Sequence, residues 1–148
     1  MDKNDIVIEQ VKEFSEEVAE AISKFVVQLG DRYQPFTQDS LREIINSSES
    51  YLFIARHNTT KEIAGMIFEI IYRIPYTTKA YVEDLFIDEK FRKMGIATRL
   101  FQKAVDTARE HKAAYIDFTS KPYRVEGNSL YEKLGFKKRE TNVYRLHL

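Results

Sequence analysis

Arg92-Lys93-Met94-Gly95-Ile96-Ala97 is the stretch on which the fold of this 148-residue chain turns. Residues 81–87, just before it, form an apolar run that reads as a strand. After it, Ala97, Leu100, Phe101, Ala104, Val105 and Ala108 recur at the spacing of one helix face. A strand that turns through a glycine into a helix leaves backbone N–H groups unpaired at the helix start, where the positive end of the helix dipole also lies. Such a place favours a phosphate or another anion, and Arg92 and Lys93 can add charge-assisted contacts.

Working outward, residues 6–11 read as a first strand. Ser15 is placed to cap a helix with an apolar stripe of Val18, Ile22, Phe25, Val26 and Leu29, ended by Gly30. An irregular aromatic link, residues 31–36, leads to a shorter helix ending near Ile45. Strands are expected at 51–56 and at 63–72, the latter rich in isoleucine and aromatics, with residues 73–78 as the connection to strand 81–87. Beyond the periodic helix come a strand at 114–119, a helix from Arg124 to Leu134 stopped by Gly135, and a final strand at 142–148, with room for one more before it. The order predicts an α/β or α+β domain over residues 1–148, its central strand–helix–strand unit parallel because a crossover helix joins the strands.

Composition narrows the function. The formal net charge is zero, so no bulk field gathers nucleic acid or a membrane surface, and any anion site must be local. There is no cysteine, which excludes disulfides, thiolate metal sites and a cysteine nucleophile. The three histidines, His57, His111 and His147, are isolated and lack metal-ligand spacing, so no metal is expected. No apolar run reaches membrane-spanning length and the polar first residues lack a signal-peptide core, making a cytoplasmic location the expectation.

With these elements in place, the chain resembles the GCN5-related N-acetyltransferases (GNAT). Arg92-Lys93-Met94-Gly95-Ile96-Ala97 fits their acyl-coenzyme A signature (Gln or Arg, two residues, Gly, one residue, Gly or Ala) between the strand and helix the family requires. A second family feature, a tyrosine followed by Gly-Phe, matches Tyr131 with Gly135-Phe136. The resemblance implies a central mixed, twisted sheet of about six to seven strands flanked by about four helices. It further implies acetyl coenzyme A as donor, its pyrophosphate held by the backbone around Lys93, Met94, Gly95, Ile96 and Ala97. The pantetheine arm would lie along Leu85, Phe86 and Ile87, where the following strand splays away in this family. Many members carry Asn seven residues before the tyrosine and Ala four before it. Here those positions hold Arg124 and Gly127, and Asn128 lies three before, so Arg124 and Asn128 are the cofactor candidates in that region.

Transfer needs a base and an acid. An alkylamine has a pKa of about 10.4 and arrives protonated, so a general base must take its proton. Regular alternation puts Tyr81, Glu83, Leu85 and Ile87 on one strand face and Val82, Asp84 and Phe86 on the other. By resemblance to polyamine-acetylating members with the same Glu-Asp pair, Glu83 is the candidate base. Tyr131 occupies the family position of the acid that protonates the leaving thiolate. Candidates for acceptor selection are Tyr33, Phe36, Arg73, Tyr76 and Tyr81. Arg32 and Arg73 would favour a carboxylate-bearing acceptor, while Glu69, Glu83 and Asp84 would favour a cationic one, so the amine, small or on a protein, stays open. The last apolar segment offers a strand for pairing across a homodimer, as in many relatives. The reading from a different class is a coenzyme A-binding sensor or interaction module without chemistry.

Overall fold

The computed structural model describes residues 5–30 and 34–148, and it divides into two units, Met1–Phe118 and Thr119–Leu148. The first unit is built on a five-stranded sheet in the order of the chain: β1 (Ile6–Gln10), β2 (Ser50–His57), β3 (Ile63–Ile74), β4 (Thr77–Ile87) and β5 (Ile116–Asp117). The first four strands pair antiparallel and β5 joins β4 in parallel, as the crossover through a helix demands.

Helices cover both sheet faces. Helix α1 (Glu16–Gln28) starts at extended Ser15, whose side chain accepts the Val18 N–H, and α2 (Gln38–Asn46) starts at a reciprocal Thr37–Ser40 capping box. Val18, Ile22 and Phe25 of α1 and Leu41 of α2 bury against Leu52, Ile54, Met66 and Phe86. On the opposite face lies α3 (Ile96–Glu110), where Ala108 meets Ile71 of β3 and Ala80 of β4 and the Phe101 ring packs on Phe118.

Gly65 sits at a close approach of β3 to β4. A Cβ there would stand 2.6 Å from the Phe86 carbonyl oxygen and 2.8 Å from Ile87 Cδ1. Neither the backbone oxygen nor the paired strand can retreat without breaking the ladder. Gly65→Ala is therefore expected to cost about 1–3 kcal/mol, read as a lower urea midpoint; an unchanged midpoint would show that β4 yields freely.

Three expectations need correction. The hairpin between β3 and β4 is only Pro75-Tyr76, because both strands continue to Ile74 and from Thr77. Strand β5 has two residues rather than six. In the second unit, α4 (Val125–Lys133) forms, but no strand follows it, so the sheet has five strands rather than six or seven. Residues 142–148 satisfy period-two alternation, yet a strand exists only with a ladder partner. The sheet of the described residues does not include 142–148, and Val143, Tyr144, Leu146 and Leu148 stay exposed.

Candidate active site

After β4 the chain makes a single 3-10 turn, Glu89–Phe91, capped by Asp88, whose carboxylate accepts the Lys90 N–H at 3.0 Å. Lys93 (φ 63°) and Gly95 (φ 75°) then take left-handed conformations and turn the chain sharply into α3. Gly95 is the N-cap of α3, so no side chain caps this helix, and its first turn carries no acidic residue. Helices α1 and α2 are both capped by a hydroxyl and have acids in their first turns. The first N–H groups of α3 therefore keep both their hydrogen-bonding capacity and an uncompensated dipole.

Around this turn, Arg92, Lys93 and Gly95 are exposed, Met94 and Ala97 half-buried, and Ile96 buried as the anchor of the helix start. Arg92 Nε donates to the Ile87 carbonyl oxygen at 3.2 Å, closing the turn back onto the strand it left. Strand β4 meets β5 only at Ala80 and Tyr81. Beyond Tyr81, β4 continues past the last residue that pairs with β5. The Phe86 side chain belongs to the core, its ring 4.8 Å from that of Phe25.

A β-bulge in β4 overturns the expected face assignment. Ile67 pairs with Leu85 but Glu69 pairs with Val82, so Glu83 and Asp84 together stand opposite the single residue Phe68. The extra residue reverses the strand's parity. Tyr81 and Glu83 thus share a side with Phe86, on the face covered by α1 and α2, while Leu85 turns with Ile67 toward the other face. On the first face, Tyr81, Glu83, Ile70 and Tyr72 line an open groove of about 420 Å³. Ile70 and Tyr72 are its walls on β3, legible only once the two strands are set in register.

Other candidates lie elsewhere. Glu69, expected to attract a cationic acceptor, is fully buried opposite Tyr51 and Val82, on the face that carries α3. Among the described residues neither of its carboxylate oxygens has a hydrogen-bond partner, and burial pushes its pKa up to about 8. Beside it, the Tyr51 hydroxyl is held 2.8 Å from His111 Nε2, and burial, then the Glu69 charge, raise the tyrosine above its ordinary value. Phe36 packs on the core under α1 and α2. Arg73 is exposed and donates to the Pro75 carbonyl oxygen at the hairpin tip, where exposed Tyr76 bonds Tyr115. Tyr33 and Arg32 fall outside the described residues. His57 is buried, its Nδ1 accepting the Thr60 N–H and its Nε2 3.4 Å from Asp5, a packing role. Among the described residues no cluster of metal-ligating side chains occurs, and no helix is long and apolar enough to cross a membrane.

In the second unit, α4 ends in a Schellman motif. Gly135 (φ 94°) is the left-handed C′ residue, the Gly135 N–H bonds the Glu132 carbonyl, and the Phe136 N–H bonds the Tyr131 carbonyl at 3.0 Å. The Tyr-to-Gly-Phe spacing is thus a helix stop that fixes the Tyr131 backbone. Burial raises the Tyr131 hydroxyl above its ordinary 10.0, with the Arg124 charge pulling the other way. Asn128 does not point its amide to solvent: Nδ2 donates to the Lys121 carbonyl at 3.1 Å and secures the loop before α4. Exposed Arg124 opens α4 without capping it.

Comparisons with known proteins bear on the family and the fold. The chain is 27% identical over 118 residues to N-alpha-acetyltransferase 30 of Schizosaccharomyces pombe, spanning 80% of this chain and 77% of that one. Its fold matches a transcriptional regulator from Bacillus halodurans C-125 with a TM-score of 0.80, at 22% identity over 97% of this chain and 99% of the other. It also matches AAC(6')-Iy, solved with a bisubstrate analog of coenzyme A and acetylneamine, with a TM-score of 0.79 at 17% identity, covering 97% and 99%. The family model for the acetyltransferase (GNAT) domain fits residues 5–148. With the strand–glycine–helix turn and this match over nearly its whole length, the chain belongs to the GNAT family of acetyltransferases.

Proposed function

We propose that the protein transfers an acetyl group from acetyl coenzyme A to a primary amine by direct attack. The observation that carries this reading is the uncapped, acid-free start of α3 at Gly95, which follows the part of β4 that runs on beyond its pairing with β5. The N–H groups of the first turn hold the pyrophosphate, with Lys93 adding charge. The main chain of Leu85 to Ile87 receives the amide-bearing pantetheine arm like an added strand.

In the reaction, the amine nitrogen attacks the thioester carbonyl, forming the C–N bond as the C–S bond breaks. Glu83 first takes a proton from the incoming ammonium, directly or through one water; Tyr131 gives its proton to the departing thiolate and regains one from solvent, to which the nitrogen loses its second proton as the amide forms. The products are an acetamide and the coenzyme A thiol. A thiol of this kind has a pKa of about 8.5, so a tyrosine that stays neutral at pH 7 is a competent donor. The bulge supports Glu83 over its neighbour, because it brings Glu83 into the groove with Tyr81.

Glu83→Gln tests the base. At pH 7 the variant is expected to lose about 10²-fold or more in kcat/KM, recovering toward pH 10 as solution supplies free amine. An unaltered rate and pH profile would assign the proton to another group. Tight acetyl coenzyme A binding without thiol release for any amine would instead favour the non-catalytic module.

A further inference from the structure

Resting on the role proposed for Tyr131, we infer that Ser120 is a positioning residue that donates a hydrogen bond to the tyrosine oxygen as that oxygen gives up its proton. The loop before α4 brings the two together. The Asn128 amide and the Arg124 N–H both donate to the Lys121 carbonyl, at 3.1 and 3.0 Å, so the residue after Ser120 is pinned to the first turns of the helix. A long helical side chain lies back along its helix toward the N-terminus. Tyr131 does so: a Cβ built on Gly127, one turn earlier, would stand 3.4 Å from the phenol oxygen. The hydroxyl thus reaches back toward the end of α4 at which Lys121 is fixed.

Burial raises the Tyr131 pKa, while the Arg124 charge and then the Ser120 hydroxyl pull it down. Ser120 is therefore near enough to act on the phenol, yet its buried Oγ has no hydrogen bond of full geometry among the described residues. A buried hydroxyl left so loosely held costs free energy, and alanine would take the same place without that cost. Packing gives no reason for serine here; chemistry at the tyrosine does. A hydroxyl rotates about its C–O bond, so its proton can swing to an oxygen on which negative charge grows. Tyr131 presents that oxygen when its proton leaves for the coenzyme A sulfur. Ser120 keeps its own proton throughout and steadies the phenolate until solvent reprotonates the tyrosine. A hydrogen bond to an anion is stronger than one to a neutral hydroxyl, so the contact favours the transition state over the resting enzyme. Arg124 pulls the same way, but it is exposed and water screens its charge.

The test compares Ser120→Ala and Ser120→Thr with the wild type. It follows thiol release from acetyl coenzyme A with phenethylamine, spermidine and an alanine-leading tetrapeptide, and titrates the Tyr131 phenol by NMR of the tyrosine ring carbons. Ser120→Ala is expected to lower kcat about 10–10²-fold, to bind acetyl coenzyme A as before and to melt no lower than the wild type. Removing a group that lowers the phenol pKa should also move the Tyr131 titration to higher pH. Ser120→Thr keeps the hydroxyl and should stay close to the wild type in both readouts. In a Tyr131→Phe background, Ser120→Ala should leave kcat nearly unchanged, because the oxygen it serves is gone. The same loss in both backgrounds, a threonine variant as slow as the alanine one, or an unmoved kcat and titration in Ser120→Ala would each overturn the inference. Should the wild type release no thiol with any of the three amines, acetyl transfer fails by itself. The titration then decides for Ser120: a raised midpoint in Ser120→Ala upholds its hold on Tyr131, and an unmoved one sinks it.

Discussion

Tyr131→Phe is expected to lower turnover by about 10²–10⁴-fold while acetyl coenzyme A binds as before. The substitution removes one hydroxyl and keeps the ring, and what holds residue 131 in place is main-chain chemistry. The Phe136 N–H bonds its carbonyl at 3.0 Å, and the cap at Gly135 does not depend on the phenol. The variant should therefore melt close to the wild type, separating a chemical role from a packing one. Because burial raises the Tyr131 pKa above 10.0, the hydroxyl keeps its proton throughout neutral and mildly alkaline pH. The wild-type kcat should accordingly show no loss from tyrosine ionisation below about pH 9, one unit short of that value. Cofactor affinity and single-turnover rates measured side by side would check this. Unchanged turnover in the phenylalanine variant would remove Tyr131 from the reaction.

The second large effect concerns stability. Glu69 is fully buried with no hydrogen-bond partner among the described residues, and burial carries its pKa from 4.5 to about 8. The folded chain therefore keeps a proton that the unfolded chain releases near pH 4.5. Stability from this group is complete below that value, declines as pH rises through the window up to about 8, and levels off above it. The slope approaches about 1.4 kcal/mol per pH unit inside the window, so the loss by pH 8 is on the order of a few kcal/mol. Glu69→Gln cannot ionise. Its unfolding free energy should match the wild type near pH 5 and exceed it clearly at pH 8, as followed by urea denaturation at both values. Parallel pH dependence in the two proteins would show that Glu69 is solvated or paired in solution.

Much of this fold was legible because local rules and tertiary packing agree. Ser15 ahead of an apolar stripe, and the spacing from Ala97 to Ala108, describe α1 and α3 because those stripes do face the sheet. The anion turn was legible because Gly95 occupies a left-handed position that side chains other than glycine rarely take. What escaped depends on pairing between distant residues. No glycine marks the bulge at Glu83 and Asp84; it exists because Ile67 and Glu69 both keep their partners on β4. The burial of Glu69 was hidden for the same reason, since period-two reading gives a face but not which layer covers it. Residues 142–148 carry the period-two pattern of a strand, but that pattern does not say whether a sheet takes them in, and the sheet of the described residues does not. Ile70 and Tyr72 join Tyr81 and Glu83 only through the β3–β4 register.

The bulge has one more consequence, for length changes in β4. Deleting one residue between Val82 and Leu85 would restore an ordinary ladder, and the pairing itself would improve. It would also move the half of the strand on one side of the deletion by one position relative to its partner. Either Phe86 would leave Phe25 and face α3, or Tyr81 and Glu83 would leave the groove for the interior. The surplus residue works as a phase shifter: it lets one strand serve as core wall near Phe86 and as reaction floor at Glu83, two duties that uninterrupted alternation would set on opposite sides.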